Sequence, residues 1–125
     1  MKTEKSRYDL EDRLVGFACM SLEVCDLLPN SRAGQNLEYQ LSKSTTAPAL
    51  IYGEAQAAES RADFIHKMKL VLKELRESRI NFRIIKEKPL VVNEKVDIAF
   101  KEVCELVAIF TTGIETAKRN VKLKM

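Results

Sequence analysis

Asp63 and His66 stand three residues apart in a stretch with helical periodicity. At that spacing a carboxylate and an imidazole share one helix face and can hold a metal ion. A di-metal centre inside a helical bundle needs such a pair on two helices plus further carboxylates. His66 is the only histidine in the 125 residues, so one chain cannot build that centre. We read His66 as a surface residue. Cys19, Cys25 and Cys104 could in principle act as nucleophiles, but each falls within an expected helix with no neighbouring histidine, and packing accounts for them better. Their odd number and the absence of C-x-x-C spacing argue against a disulfide framework or a zinc knuckle and point to a reducing, cytoplasmic setting. The glycines at 16, 34, 53 and 113 stand alone, and no P-loop, G-x-S-x-G or H-E-x-x-H occurs. The expectation is a protein that is not an enzyme, with no catalytic residue, no metal and no cofactor.

Cationic chemistry remains. Lys69, Lys73, Arg76 and Arg83 recur at helical spacing on one flank of an amphipathic segment, and long basic side chains so arranged can follow a phosphate backbone. Asp63, Glu74 and Glu77 fall on the other flank, with Leu70, Ile80 and Ile84 between the two. Lys73 with Glu77, and Arg83 with Glu87, are also spaced for ion pairs along the helix. Arg79 falls within the inner stripe beside Leu75 and Phe82, where a cation has to snorkel or find a partner. A second basic group closes the chain as Lys118, Arg119, Lys122 and Lys124, and Lys2, Lys5 and Arg7 lie near its start. The net charge of +3 is too mild to demand nucleic acid by itself.

Four amphipathic helices must position these residues. Leu10, Leu14, Phe17, Val24, Cys25 and Leu28 mark a first helix over 9–28, which Pro29 ends. Ser31 can cap a second, over 32–58, whose inner side carries Ala33, Leu37, Leu41, Ser44, Ile51, Tyr52, Ala55 and Ala58; Pro48 predicts a bend or local break near 44–48. Ser60 and Asp63 resemble a capping box ahead of a third helix over 61–87, with Phe64, Met68, Val71, Leu72, Leu75 and Phe82 inside. After Lys88 and Pro89, Asn93 can cap a fourth helix over 94–121, lined by Val96, Ala99, Val103, Leu106, Val107, Phe110, Ile114, Ala117 and Val121. Short connections make successive helices antiparallel, which predicts an all-α, up-down-up-down four-helix bundle forming a single domain over 1–125.

Composition agrees. Aromatic residues are 6%, Trp is absent and there are four Gly and three Pro, so strand and turn formers are scarce. Hydrophobic residues at 46% and charged residues at 31% exclude a disordered chain, and no apolar run approaches a membrane span or a signal core. Val15, Cys19 and Leu22 on the first helix, Leu70, Ile80 and Ile84 on the third, and Ile98 and Ile109 on the fourth form a second apolar strip that a monomer would leave in water. Its recurrence, at Val15, Leu22, Leu70, Ile80 and Ile84 above all, suggests an oligomer interface.

Tyr52 to Ser60, continued by Asp63 to Met68 and Leu72 to Ser78, resembles the bacterial four helix bundle protein family. Tyr8 to Glu11, Leu28 to Asn30 and Leu106 to Phe110 fit its pattern as well. This family was once labelled ribosomal and includes open reading frames in intervening sequences of large-subunit ribosomal RNA genes. The accessory variability determinant of diversity-generating retroelements, a basic pentamer that binds nucleic acid and a reverse transcriptase, is distantly similar. The resemblance implies the bundle and a ring-like homopentamer, and it supplies no catalytic residue. The resulting expectation is an oligomeric bundle that binds RNA, DNA or a nucleoprotein partner through Lys69, Lys73, Arg76, Arg83, Lys118, Arg119 and Lys122. The alternative is a protein–protein interaction scaffold without nucleic-acid binding.

Overall fold

The computed structural model describes residues 9–124, with side chains through Asn120. Four helices follow one another: α1 (Leu10–Cys25), α2 (Arg32–Gln56), α3 (Arg61–Glu87) and α4 (Glu94–Lys124). Three of them begin where the sequence supplies a cap. Ser31 Oγ accepts from the Gly34 N–H at 3.1 Å, Ser60 Oγ from the Asp63 N–H at 3.0 Å, and Asn93 Oδ1 from the Lys95 N–H at 2.8 Å. The helices pack α1 on α2, α2 on α3, α3 on α4 and α4 back on α1, which closes an antiparallel four-helix bundle with α1 diagonal to α3.

The diagonals are filled by rings. Phe17 of α1 meets Phe82 of α3 at 6.2 Å between centroids, and Tyr52 of α2 meets Phe110 of α4 edge-on at 5.8 Å. Around them Leu14, Leu41, Val71, Leu75, Ile85, Val103 and Leu106 are fully buried. The expected inner stripes therefore do form the core. Two of their members do not take part as expected. Ala33 is exposed, and its neighbour Gly34 is buried instead, pressed against the Pro29 carbonyl. Arg79 is half-buried at the edge of the stripe, while the small Ser78 occupies the fully buried position beside it.

Element ends also differ from expectation. α1 stops at Cys25 and not at 28, because the chain tightens into i→i+3 bonds ahead of Pro29, from Leu27 N–H to Val24 O and from Leu28 N–H to Cys25 O. α2 ends at Gln56 in the same way, through Ala57 N–H to Glu54 O and Ala58 N–H to Ala55 O. α4 continues to Lys124.

The break expected at Pro48 does not occur, and α2 is one uninterrupted helix. Pro48 cannot donate to the Ser44 carbonyl, but it is buried on the inner side of α2, and the surrounding turn is held by other bonds. Thr45 donates its hydroxyl to Leu41 O at 2.7 Å, and Ser44 Oγ receives bonds from Ser78 Oγ and Asn81 Nδ2 of α3, each at 3.1 Å. Tertiary contacts thus hold a helix that local propensity alone would interrupt.

Candidate nucleic-acid interface

The outer face of α3 carries the basic residues, and its two charged flanks are not independent. The Lys73 ammonium bridges to Glu77 at 3.3 Å and to Glu74 at 3.4 Å, and its hydrogen bond to Glu77, followed by the charge of Glu74, holds its pKa above the usual lysine value. Arg83 donates to Glu87 at 2.8 Å. Lys69 and Arg76 are exposed and have no ion-pair partner among the described residues. Apart from the Glu74 carboxylate, which is largely shielded, these groups lie in solvent, where ion pairs are weak and easily exchanged for a stronger anion.

Between α2 and α3 this face opens into a groove of about 540 Å³, within the usual range of ligand sites. Lys73, Arg76, Ile80 and Asn81 line it from α3, with Glu74 and Glu77, and Gln40 and Lys43 line it from α2. Asn81 of this lining donates its Nδ2 to Ser44 Oγ, which joins the groove to the buried pair of Ser44 and Ser78. Gln40 and Lys43 are not among the residues that helical periodicity singles out. The available signal is the hairpin of α2 and α3, which sets Ser44 against Ser78 and Glu54 against Lys67 (3.4 Å) and so brings the 40–43 turn to the α3 surface.

The remaining predicted residues are dispersed. Lys69 and Arg83 are fourteen positions apart on α3, or about 21 Å along the axis. Lys118 and Arg119 are exposed near the far end of α4, which runs antiparallel to α3, so they sit at the opposite end of the bundle from Arg83. Lys2, Lys5 and Arg7 lie outside the described residues, as do the side chains of Val121, Lys122 and Lys124.

The second apolar strip is largely real. Val15 is 46% exposed, Leu22 42%, Ile80 49% and Ile84 45%, each high for a branched aliphatic side chain. Cys19 and Ile98 are exposed too, whereas Leu70 and Ile109 are half-buried, Ile109 packing against the core. Since α1 and α3 are diagonal, the α1 strip and the α3 strip lie on helices that share no seam.

One polar cluster carries no signature in the sequence. Arg13 of α1 makes a two-pronged contact with Glu102 of α4, Nε to Oε2 at 3.0 Å and Nη2 to Oε1 at 2.7 Å, and adds a bond to Glu105 at 3.1 Å. With the Lys95–Glu23 pair at 3.3 Å it clamps the α1–α4 seam. On the other side of α4, Lys86 reaches Asp97 and lies 5.5 Å from the centre of the Phe100 ring.

No protein-family model matches the chain, and no curated protein matches it. Among solved structures it is similar to the 1.70 Å crystal structure of a protein with unknown function from the S23 ribosomal protein family of Bacteroides thetaiotaomicron VPI-5482. That likeness has a TM-score of 0.76 and 24% sequence identity, and it covers 83% of this chain and 96% of the other. At this identity it shows the shared bundle fold. No described helix is long and apolar enough to cross a membrane.

Proposed function

We propose that the protein is a non-enzymatic, self-associating helical bundle that holds nucleic acid along the outer surface of α2 and α3. The observation that carries this reading is the α2–α3 groove, where Lys43, Lys73 and Arg76 from two helices converge and neither Lys43 nor Arg76 has an ion-pair partner among the described residues. With Lys69 beside it, this surface presents cations in a line that a phosphate backbone can follow. Glu74 and Glu77 temper the charge, so binding by one subunit is weak, and several subunits acting together raise it.

Self-association is supported by the exposed apolar strips. A contact between the α1 strip of one copy and the α3 strip of the next joins two different surfaces, and such head-to-tail contacts close into a ring where the rotation from copy to copy completes a turn and otherwise extend as a filament. The family resemblance favours five subunits. In light scattering the wild type is expected as an oligomer and the combined Ile80→Lys and Ile84→Lys variant as a folded monomer; a monomeric wild type removes the idea.

For nucleic acid, fluorescence anisotropy with unrelated RNA and DNA at two salt concentrations is the test. Affinity is expected to fall steeply with salt. Reversing Lys43 and Arg76 to Glu should weaken all sequences alike and reduce the logarithmic salt slope by roughly one for each phosphate no longer neutralised. Absence of binding at low salt would leave the protein-interaction scaffold, with the apolar strips as its contact surfaces, as the better reading.

A further inference from the structure

One exposed ring stands a helical turn away from a residue of the groove. Tyr39 of α2 is 62% exposed and precedes Lys43 by four residues, which places both side chains on the same helix surface one turn apart. Its exposure is unusual for a ring in a protein whose other described tyrosine, Tyr52, is buried against Phe110. Lys43 opens directly into the groove, where Arg76 approaches from α3. Asn81 spends its Nδ2 on Ser44 Oγ, and its carbonyl oxygen has no partner among the described residues. Gln40 brings a second amide, exposed, to the same lining.

We propose that Tyr39 and the α2–α3 groove form a docking point for a single nucleic-acid strand, with Tyr39 stacking on one unpaired base while Lys43 and Arg76 hold the adjoining phosphates. This rests on the nucleic-acid reading above and narrows it to unpaired strands. Cations alone do not discriminate, since duplex and single strand both carry phosphates. An exposed ring next to cations does, because only an unstacked base offers a free face, and because every base has such a face the contact tolerates sequence.

The test compares a twelve-nucleotide single strand with its duplex by fluorescence anisotropy at fixed low salt, using wild type, Tyr39→Ala, Tyr39→Phe and Lys43→Glu. Single strand is expected to bind more tightly than duplex. Tyr39→Ala should weaken single-strand binding about tenfold and leave duplex binding unchanged, while Tyr39→Phe, which keeps the ring, retains wild-type affinity. Lys43→Glu should weaken both. Tyr39 and Lys43 are exposed, so the fold tolerates these changes, and circular dichroism checks that it does. Equal affinity for the two forms, or single-strand binding indifferent to Tyr39→Ala, overturns this inference while leaving the phosphate-binding surface intact. Loss of all binding in the wild type overturns both.

Discussion

Gly34 allows the packing to be tested by a single methyl group. It sits in the first turn of α2, and a Cβ built on it would lie 1.9 Å from the Pro29 carbonyl oxygen, 2.9 Å from the Pro29 carbonyl carbon and 3.0 Å from its Cγ. The requirement is one of space, since no described glycine has a positive φ. Relief means moving the 26–31 turn away by about 1.5 Å, to ordinary contact distance. That shift pulls on Ser31, whose cap bond to the Gly34 N–H is worth about 1 kcal/mol. Overpacking adds about 1–3 kcal/mol, and the better helix propensity of alanine returns less than about 1 kcal/mol. Gly34→Ala is therefore expected to lose about 2 kcal/mol. At Gly53, also in α2, a Cβ meets nothing within 4 Å, so Gly53→Ala keeps only the propensity gain of about 1 kcal/mol. For a chain of this size the two should move Tm in opposite directions, down by about 8 °C and up by about 4 °C. Urea and thermal unfolding followed by far-ultraviolet circular dichroism would measure both. A Gly34→Ala protein as stable as wild type would refute the close approach of the two turns.

Four further outcomes concern buried, paired or exposed groups. Ser21 is fully buried and its hydroxyl has no hydrogen-bond partner among the described residues, so Ser21→Ala should stabilise by about 1 kcal/mol, read as a higher urea midpoint with an unchanged m-value. Arg13→Met removes the clamp and leaves Glu102 partly buried without its cation, which should cost about 1–2 kcal/mol in the same assay; Glu105→Gln, at the exposed end of the cluster, should cost much less. Burial, reinforced by the charges of Glu38 and Asp26, pushes the Cys25 thiol from 9.0 up to about 11. Between those values the unfolded chain loses the thiol proton first, so stability should fall as pH rises from 9 toward 11, and Cys25→Ala should flatten that fall. In alkylation followed by mass spectrometry near neutral pH, exposed Cys19 should react well ahead of Cys25.

What is legible in the sequence is local. Ser31, Ser60 and Asn93 announce helix starts because a cap needs only its own next three residues, and the stripes through Leu14, Leu75 and Phe110 need only a 3.6-residue period. What escapes depends on neighbours distant in the chain. Pro48 reads as a break because its missing hydrogen bond is local while the bonds holding the turn come partly from α3. Arg13 carries no signal in the sequence, and only the return of α4 beside α1 gives it Glu102. The cations of α3 are visible as a flank, but the groove is a property of the α2–α3 hairpin, so Lys43 and Gln40 stay hidden. Leu70 shows the limit of a helical wheel: it shares a sector with Ile80 and Ile84, yet it is half-buried.

Ser44 and Ser78 have a consequence for which of several alignments the bundle adopts. Antiparallel stripes of leucine, valine and isoleucine can slide past one another by a helical turn and still bury nearly the same apolar area. The hydroxyl contact between α2 and α3, extended to Asn81, has one alignment in which its members find each other. A slip by one turn would break these interhelical bonds while each serine kept the bond to its own helix, Ser78 Oγ to Glu74 O at 3.0 Å and Ser44 Oγ to Leu41 O at 3.5 Å, so the correct alignment is favoured by the bonds between the helices alone. Replacing both serines with alanine should accordingly leave overall helicity and unfolding midpoint nearly unchanged while relaxing the uniqueness of the register, visible as broadened or doubled amide resonances for the residues of α2 and α3.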